Sequence, residues 1–175
     1  MAIRVEIYTN EGMASGMLAG SDTLHDALSS EEPLRLEGTV WQALDDPTPR
    51  QVGSWIAAID DILFAVADDE PEVRVHATWH HVFLDSGPYC LEGELATMPG
   101  FDPGRSLMRL SGEFAMLHDI RLSVRDRPDA GVSIGDHALV NRYAVERIRA
   151  ELVLSFVFPG ATVTPTMATI GSETA

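Results

Sequence analysis

Apolar and polar residues alternate along most of the chain, and this alternation predicts strands. Near the start, Ile3, Val5 and Ile7 lie on one side of such a pattern, with polar residues between them. A period of two is that of a strand with one buried face. Further alternating or short apolar segments, bounded by turn residues, lie at 13–19, 34–44, 51–59, 62–67, 73–84, 89–98, 113–124 and within 137–158.

Local signals add turns and short helices to this outline. The acidic pair at 60–61 predicts a tight hairpin between its two flanking apolar strands, which we expect to be buried. Leucine and alanine at helical spacing predict a short helix near 23–30. A proline followed by a pair of leucines predicts a second short helix near 104–110.

The order of these elements repeats along the chain. Gly93 and Leu95 in the second half stand where Gly16 and Leu18 stand in the first, with the same offset of 77 residues for both pairs. Five elements match in order, although strands and turns alternate in every all-β protein and produce some self-similarity by chance. The matching order predicts an internal duplication.

The predicted fold class is therefore mainly β, with two tandem five-stranded small barrels. Each barrel has a short helix between its second and third strands. We expect barrels because curling five strands removes most exposed sheet edges. The expected units are residues 1–67 and 73–158, joined by the acidic stretch 68–72 and followed by a flexible tail at 159–175. The alternative is one continuous sheet that runs through both halves.

Several short motifs follow one another in a fixed order in the second half: Gly93-Glu94-Leu95, Arg105-Ser106-Leu107, Phe114, Leu117, Leu139-Val140-Asn141-Arg142 and Val145. The first half carries a degenerate copy, in which Ala58 and Ile59 replace the Asn-Arg pair of the second half. This order resembles that of a small β-rich bacterial domain family of unknown function, of the Sm-like or SH3-like barrel type. The resemblance implies a fold and no reaction.

Charge narrows the possible partners. The chain has a formal net charge of -15, from 27 acidic residues against 12 arginines and no lysine. Such a chain repels nucleic acid and anionic membranes unless a basic patch is present. Two arginine clusters stand out, and both are interrupted by acids: Arg121, Arg125 and Arg127, and Arg142, Arg147 and Arg149. We therefore expect neither nucleic acid nor a membrane as a partner.

Polar residues near the start and the cysteine content bear on localisation. Glu6 and Asn10 interrupt the apolar stretch that a signal peptide needs, and no apolar run is long enough for a membrane helix. Cys90 is the single cysteine, so neither an internal disulfide nor a cysteine-rich zinc site is available. We expect a cytoplasmic protein with no cofactor.

The strongest candidates for metal binding form one cluster of histidines: His76, His80 and His81. On a strand, His76 and His80 share a face but are about 13 Å apart, too far for one metal ion without a bulge. On a helix their spacing would suit a metal, but the surrounding valines and aromatics favour a strand. The three histidines are the candidate metal ligands, with ordinary hydrogen-bonded imidazoles as the other interpretation.

Other candidates for catalysis have weaker support. Cys90 lies in an apolar strand and lacks a local nucleophile signature. Ser86 and Ser106 lack the G-x-S-x-G elbow of serine hydrolases. His118 and Asp119 are neighbours that point to opposite faces of a strand. We therefore predict no catalytic residues.

The leading functional hypothesis is a non-enzymatic binding or interaction module whose partner is a protein or a small ligand. Aromatic residues are the candidate anchors, namely Tyr8, Trp41, Trp55, Trp79 and Tyr89. The alternative is a metal-dependent enzyme that uses the histidine cluster. We also expect a homodimer, because residues 151–158 carry apolar side chains on both faces of a predicted strand.

Overall fold

The predicted mainly β class is confirmed. The computed structural model describes residues 3–30, 32–68, 78–97, 113–127, 133–150 and 157–165. In chain order the elements are β1 (Arg4–Tyr8), β2 (Gly12–Leu18), α1 (Leu24–Leu28), β3 (Leu34–Ala43), β4 (Arg50–Ala57), a 3₁₀ helix (Ile59–Asp61), β5 (Phe64–Ala67), β6 (Thr78–Ser86), β7 (Tyr89–Thr97), β8 (Phe114–Val124), β9 (Ser133–Asn141), β10 (Val145–Ala150) and β11 (Thr162–Pro165).

All the described strands belong to one open sheet. Their order is β11-β10-β6-β7-β8-β9-β5-β1-β2-β3-β4. β10 and β11 are parallel, and the other neighbours are antiparallel. The two halves meet where β5 pairs with β9, with Ala65 opposite Leu139. The structure thus has the continuous sheet that was the alternative prediction, and it does not show two separate barrels.

Two hydrophobic cores lie on opposite faces of this sheet. β5 contributes to both, because consecutive strand residues point to opposite faces and Phe64 and Ala65 are both fully buried. The N-terminal core includes Val5, Ile7, Leu24, Leu36, Ile62 and Ala65. The C-terminal core includes Phe64, Leu84, Leu91, Leu117, Ile148 and Phe158.

Helix α1 lies between β2 and β3. The Thr23 hydroxyl accepts a hydrogen bond from the backbone N–H of Asp26 at 3.1 Å, which caps the first turn. Leu24 and Leu28 are buried in the N-terminal core. Residues 104–110, the second predicted helix, lie outside the described residues. Within the described parts of the chain, no helix has the length and apolar composition to cross a membrane.

The predicted hairpin at 60–61 is wrong. The 3₁₀ helix Ile59–Asp61 separates β4 from β5, and the two strands do not pair with each other. β4 pairs with β3 at the end of the sheet, and most of its residues are exposed. An apolar run cannot by itself distinguish a buried strand from a partly exposed edge strand.

The end of the described chain also differs from the expectation. Thr162–Pro165, inside the segment predicted as a flexible tail, form β11 on the edge of the sheet beside β10. Two of its residues are threonine and one is valine, and β-branched side chains favour strands. Just before it, Val157 and Phe158 are buried in the C-terminal core, while 151–156 lie outside the described residues.

Candidate functional site

The two described histidines of the predicted metal cluster point to opposite faces of β6. His81 Nδ1 lies 2.8 Å from a carboxylate oxygen of Glu94, and its Nε2 lies 3.1 Å from one of Glu92. His80 Nε2 lies 2.8 Å from the hydroxyl of Thr97. Adjacent strand residues project to opposite sides of a sheet, so these two rings do not converge on one ion.

Metal binding by His76, His80 and His81 stays a prediction. Across the described segments, no three His, Cys, Asp or Glu side chains are grouped so that they could hold a metal ion. His76 lies outside the described residues. The carboxylates of Glu92 and Glu94 lie on opposite edges of the His81 ring, so one ion could not contact His81 and both acids in this geometry.

His81 instead belongs to a surface that four strands build together. We call it the outer face: the side of β10, β6, β7 and β8 that points away from the C-terminal core. Cross-strand pairing sets its rows, because directly opposite residues point to the same side of a sheet. One row joins Arg149, Phe83, Glu92 and Arg121. Another joins His81, Glu94 and His118.

Trp79 is the large exposed aromatic residue of this face. Its side chain is 43% exposed, and its ring lies edge-on to His118 with the ring centroids 4.8 Å apart. Partial burial lowers the pKa of His118, as does the charge of His137, while Asp119 opposes the shift. His118 is therefore neutral near pH 7, and it supports the indole as a ring without a charge.

The outer face is close to electrically neutral. Arg149 packs its guanidinium 5.2 Å from the ring centre of Phe83, and Arg147 Nη1 lies 3.7 Å from a carboxylate oxygen of Asp85. Together with Arg121, these arginines equal the acids Asp85, Glu92 and Glu94 in number. Arg125 and Glu146 beside them form their own ion pair, and Asp119 next to His118 leaves one acid in excess. The sequence placed Arg121 in one cluster and Arg147 and Arg149 in another, and the sheet brings them to a single face.

Cys90 also lies on the outer face, and its thiol is poorly reactive. Its Sγ donates a hydrogen bond to a carboxylate oxygen of Asp85 at 3.3 Å. Burial raises the pKa of the Cys90 thiol, and the hydrogen bond and the negative charge of Asp85 raise it further. A cysteine nucleophile needs the opposite environment, one that stabilises the thiolate. The geometry does not supply it.

Among the five aromatic anchors that the sequence suggested, Trp79 alone is exposed. Tyr8 and Tyr89 are buried with Phe64 in the C-terminal core, where the rings of Tyr8 and Phe64 stack at 4.4 Å. Burial raises the pKa of Tyr89 to about 12. Trp41 and Trp55 are half-buried and stack on each other at 6.0 Å.

The Asn-Arg pair of the second-half motif has a structural role. Asn141 Nδ2 donates to the carbonyl oxygen of Ile62 at 3.0 Å, which links the second half to the first. Arg142 Nε donates to the carbonyl oxygen of Val157 at 2.7 Å. Both residues are buried. They stabilise the fold and lie away from the outer face.

Sequence reasoning missed Glu92, Glu94 and Phe83 as members of the candidate site. The available signal was their spacing: acids two residues apart in a strand share a face. Comparison with family models, with curated proteins and with solved structures finds no match to this chain. The resemblance to a small-barrel family therefore remains an expectation.

Proposed function

We propose that the chain is a non-enzymatic interaction module that binds another protein through the outer face. The observation that carries this proposal is the exposed indole of Trp79, supported from the side by His118. Tryptophan and arginine are the residues most enriched at the energetic centres of protein interfaces. The outer face supplies both, in Trp79, Arg121 and Arg149.

The charge distribution of the outer face permits close approach by a partner. The chain carries a net charge of -15, which opposes close approach by another acidic protein. On the outer face, the arginines of β10 and β8 flank the acids of β6 and β7, so a partner meets a surface with little net repulsion. Paired charges of this kind contribute to specificity and to the rate of association more than to affinity.

The titratable groups on this face favour binding over chemistry. His81 is flanked by two carboxylates, and Cys90 is held as a thiol by Asp85. A general base or nucleophile needs a free lone pair directed at a substrate. In this arrangement the two groups contact neighbouring side chains of the same chain.

We further propose that the module arose from two copies of one five-stranded unit. The first half has the strand order β5-β1-β2-β3-β4, and the second half has β10-β6-β7-β8-β9. In both halves the fifth strand pairs with the first. This support is independent of the motif resemblance, because it rests on pairing and not on residue identity.

Affinity capture with three versions of the chain tests the binding proposal. Wild type, Trp79→Ala and Tyr143→Ala are each immobilised and exposed to a lysate of the cells that make the protein. Tyr143 is 62% exposed and lies outside the outer face, so its variant is a matched control. We expect a protein that wild type and Tyr143→Ala retain and Trp79→Ala loses. An identical set of retained proteins for all three versions would contradict the proposal.

A further inference from the structure

We infer that the chain associates with a second copy of itself through the free edge of β4. In the described sheet, β4 lies at one end and pairs with β3 alone. Among the described residues, this edge presents backbone N–H and C=O groups without strand partners, and another strand can pair with such groups. This inference is independent of the outer face and of the partner proposed for it.

The two ends of the sheet differ in how they are protected. β11, at the opposite end, has four residues and ends at a proline, which has no N–H to donate. β4 has eight residues, contains no proline, and carries one charged residue, Arg50, which pairs with Asp46. Charged residues and prolines are the usual protection of edge strands. β4 has little of either.

Apolar exposure is concentrated on this edge. Val52 is 45% exposed and Ile56 is 58% exposed, and both belong to β4. A bulge interrupts the pairing of β3 and β4 near Gly53, and beyond it Ser54–Ala57 pair with β3 without a register shift. The regular segment Ser54–Ala57 is therefore the part of the edge that can extend the sheet.

The charge of this edge is compatible with a second copy of this chain as the occupant. Two chains of net charge -15 repel each other over most of their surfaces. Residues 47–59 contain no acidic residue and one arginine. Two copies can therefore pair along this segment without placing acidic residues of the segment opposite each other.

The segment is also complementary to itself. Antiparallel pairing of two identical strands has two-fold symmetry, the commonest symmetry of protein dimers. When the axis passes at Ile56, the two isoleucines lie opposite each other, and Trp55 of one copy lies opposite Ala57 of the other. This pairing covers the most exposed large apolar residue of β4 and preserves which side of the sheet each residue faces.

Cross-linking tests the register directly. In a Cys90→Ser background, Ile56→Cys places its thiol on the proposed axis, where opposite Cβ atoms are about 4.5–5.5 Å apart. Mild oxidation should convert this variant to a disulfide-linked dimer. Tyr143→Cys, at a more exposed position away from β4, should stay monomeric under the same conditions. Equal cross-linking of both variants would overturn the inference.

Sedimentation supplies an independent readout on the intact chain. Wild type should sediment as a dimer of 19.0 kDa chains at micromolar concentration. Ile56→Glu places two like charges opposite each other and should raise the dimer dissociation constant about tenfold or more. A monomeric wild type would overturn the inference. It would also be overturned if wild type is a dimer that Ile56→Glu does not weaken and Ile56→Cys does not cross-link.

Discussion

Gly16 and Gly93 lie at the same kind of bulge in the two halves of the sheet. Gly16 on β2 faces the bulge that Gly38 and Thr39 form on β3. Gly93 on β7 faces the bulge that Asp119 and Ile120 form on β8. In each bulge the first residue has a positive φ, 60° for Gly38 and 49° for Asp119. The local backbone geometry thus recurs along with the strand order.

Both glycines are required by close contact with the next strand. A Cβ atom on Gly93 would lie 2.9 Å from the carbonyl oxygen of His118, and one on Gly16 would lie 3.0 Å from that of Glu37. Backbone atoms cannot move away as a flexible side chain can. We expect Gly93→Ala and Gly16→Ala each to lower the free energy of unfolding by about 1–3 kcal/mol, measured by urea denaturation.

Gly135→Ala is the control for these variants. The nearest atoms to its added Cβ belong to the side chains of Ile120 and Val66, which can adjust. Its loss of stability should be smaller than that of Gly93→Ala. A Gly93→Ala protein as stable as Gly135→Ala would show that the bulge does not depend on the glycine.

The second bulge residue differs between the halves, and this yields a stabilising substitution. Thr39 is fully buried, and its hydroxyl has no hydrogen-bond partner among the described residues. At the matching place in β8 the residue is Ile120. A buried polar group without a partner is destabilising. Thr39→Val should raise the free energy of unfolding by about 1 kcal/mol. A loss of stability in urea would contradict this expectation.

His118 makes stability depend on pH in the weakly acidic range. Its pKa is lowered in the folded chain, mainly by burial, and returns to about 6.5 on unfolding. As the pH falls, the unfolded chain therefore takes up this proton at a higher pH than the folded chain does. The contribution of neutral His118 to the free energy of unfolding is complete above the pKa of the unfolded chain and is lost as the pH falls below it. His118→Gln should therefore lose less stability than wild type between pH 7 and pH 5.

One comparison interprets that experiment. If the stability of His118→Gln changes with pH as that of wild type does, burial of the His118 ring does not make stability depend on pH. Thermal denaturation at each pH gives both profiles.

Cys90 should react slowly with thiol reagents. Burial and the Asp85 carboxylate both raise its pKa, so the thiolate fraction at neutral pH is small. Asp85→Asn removes the negative charge while keeping the size of the side chain, and should accelerate alkylation by iodoacetamide. Glu92→Gln, which changes a carboxylate of the same face that does not bond to Cys90, should leave the rate unchanged. An unaltered rate in Asp85→Asn would contradict the role of Asp85.

Sequence patterns predicted the strands better than they predicted how the strands are arranged. Alternation located β1, β7 and β8 closely, because buried and more exposed residues alternate along most of each strand. It could not show that β5 pairs with β9, since Ala65 and Leu139 are distant in the chain and pair only in the folded sheet. The same limit applies to β4, whose apolar residues resemble those of a buried strand although Ile56 is exposed at an edge.

The candidate site was predictable only in part for the same reason. His81 was predicted as a candidate ligand because two other histidines lie near it in the sequence, and Trp79 was predicted as an anchor because it is aromatic. Their neighbours on the outer face come from other strands, as His118 does from β8 and Arg149 from β10. A single strand reveals which residues share its own face. The residues beside them depend on pairing and register, which no local pattern contains.

The affinity of the captured partner for Trp79→Ala is the most direct test of the proposed function. Calorimetric titration should give a dissociation constant about 30-fold or more above that of wild type, as for a residue at the centre of an interface. Tyr143→Ala should bind like wild type, and urea denaturation should show that Trp79→Ala is folded. A folded Trp79→Ala protein that binds the partner within twofold of wild type would contradict the assignment of the outer face as the binding surface.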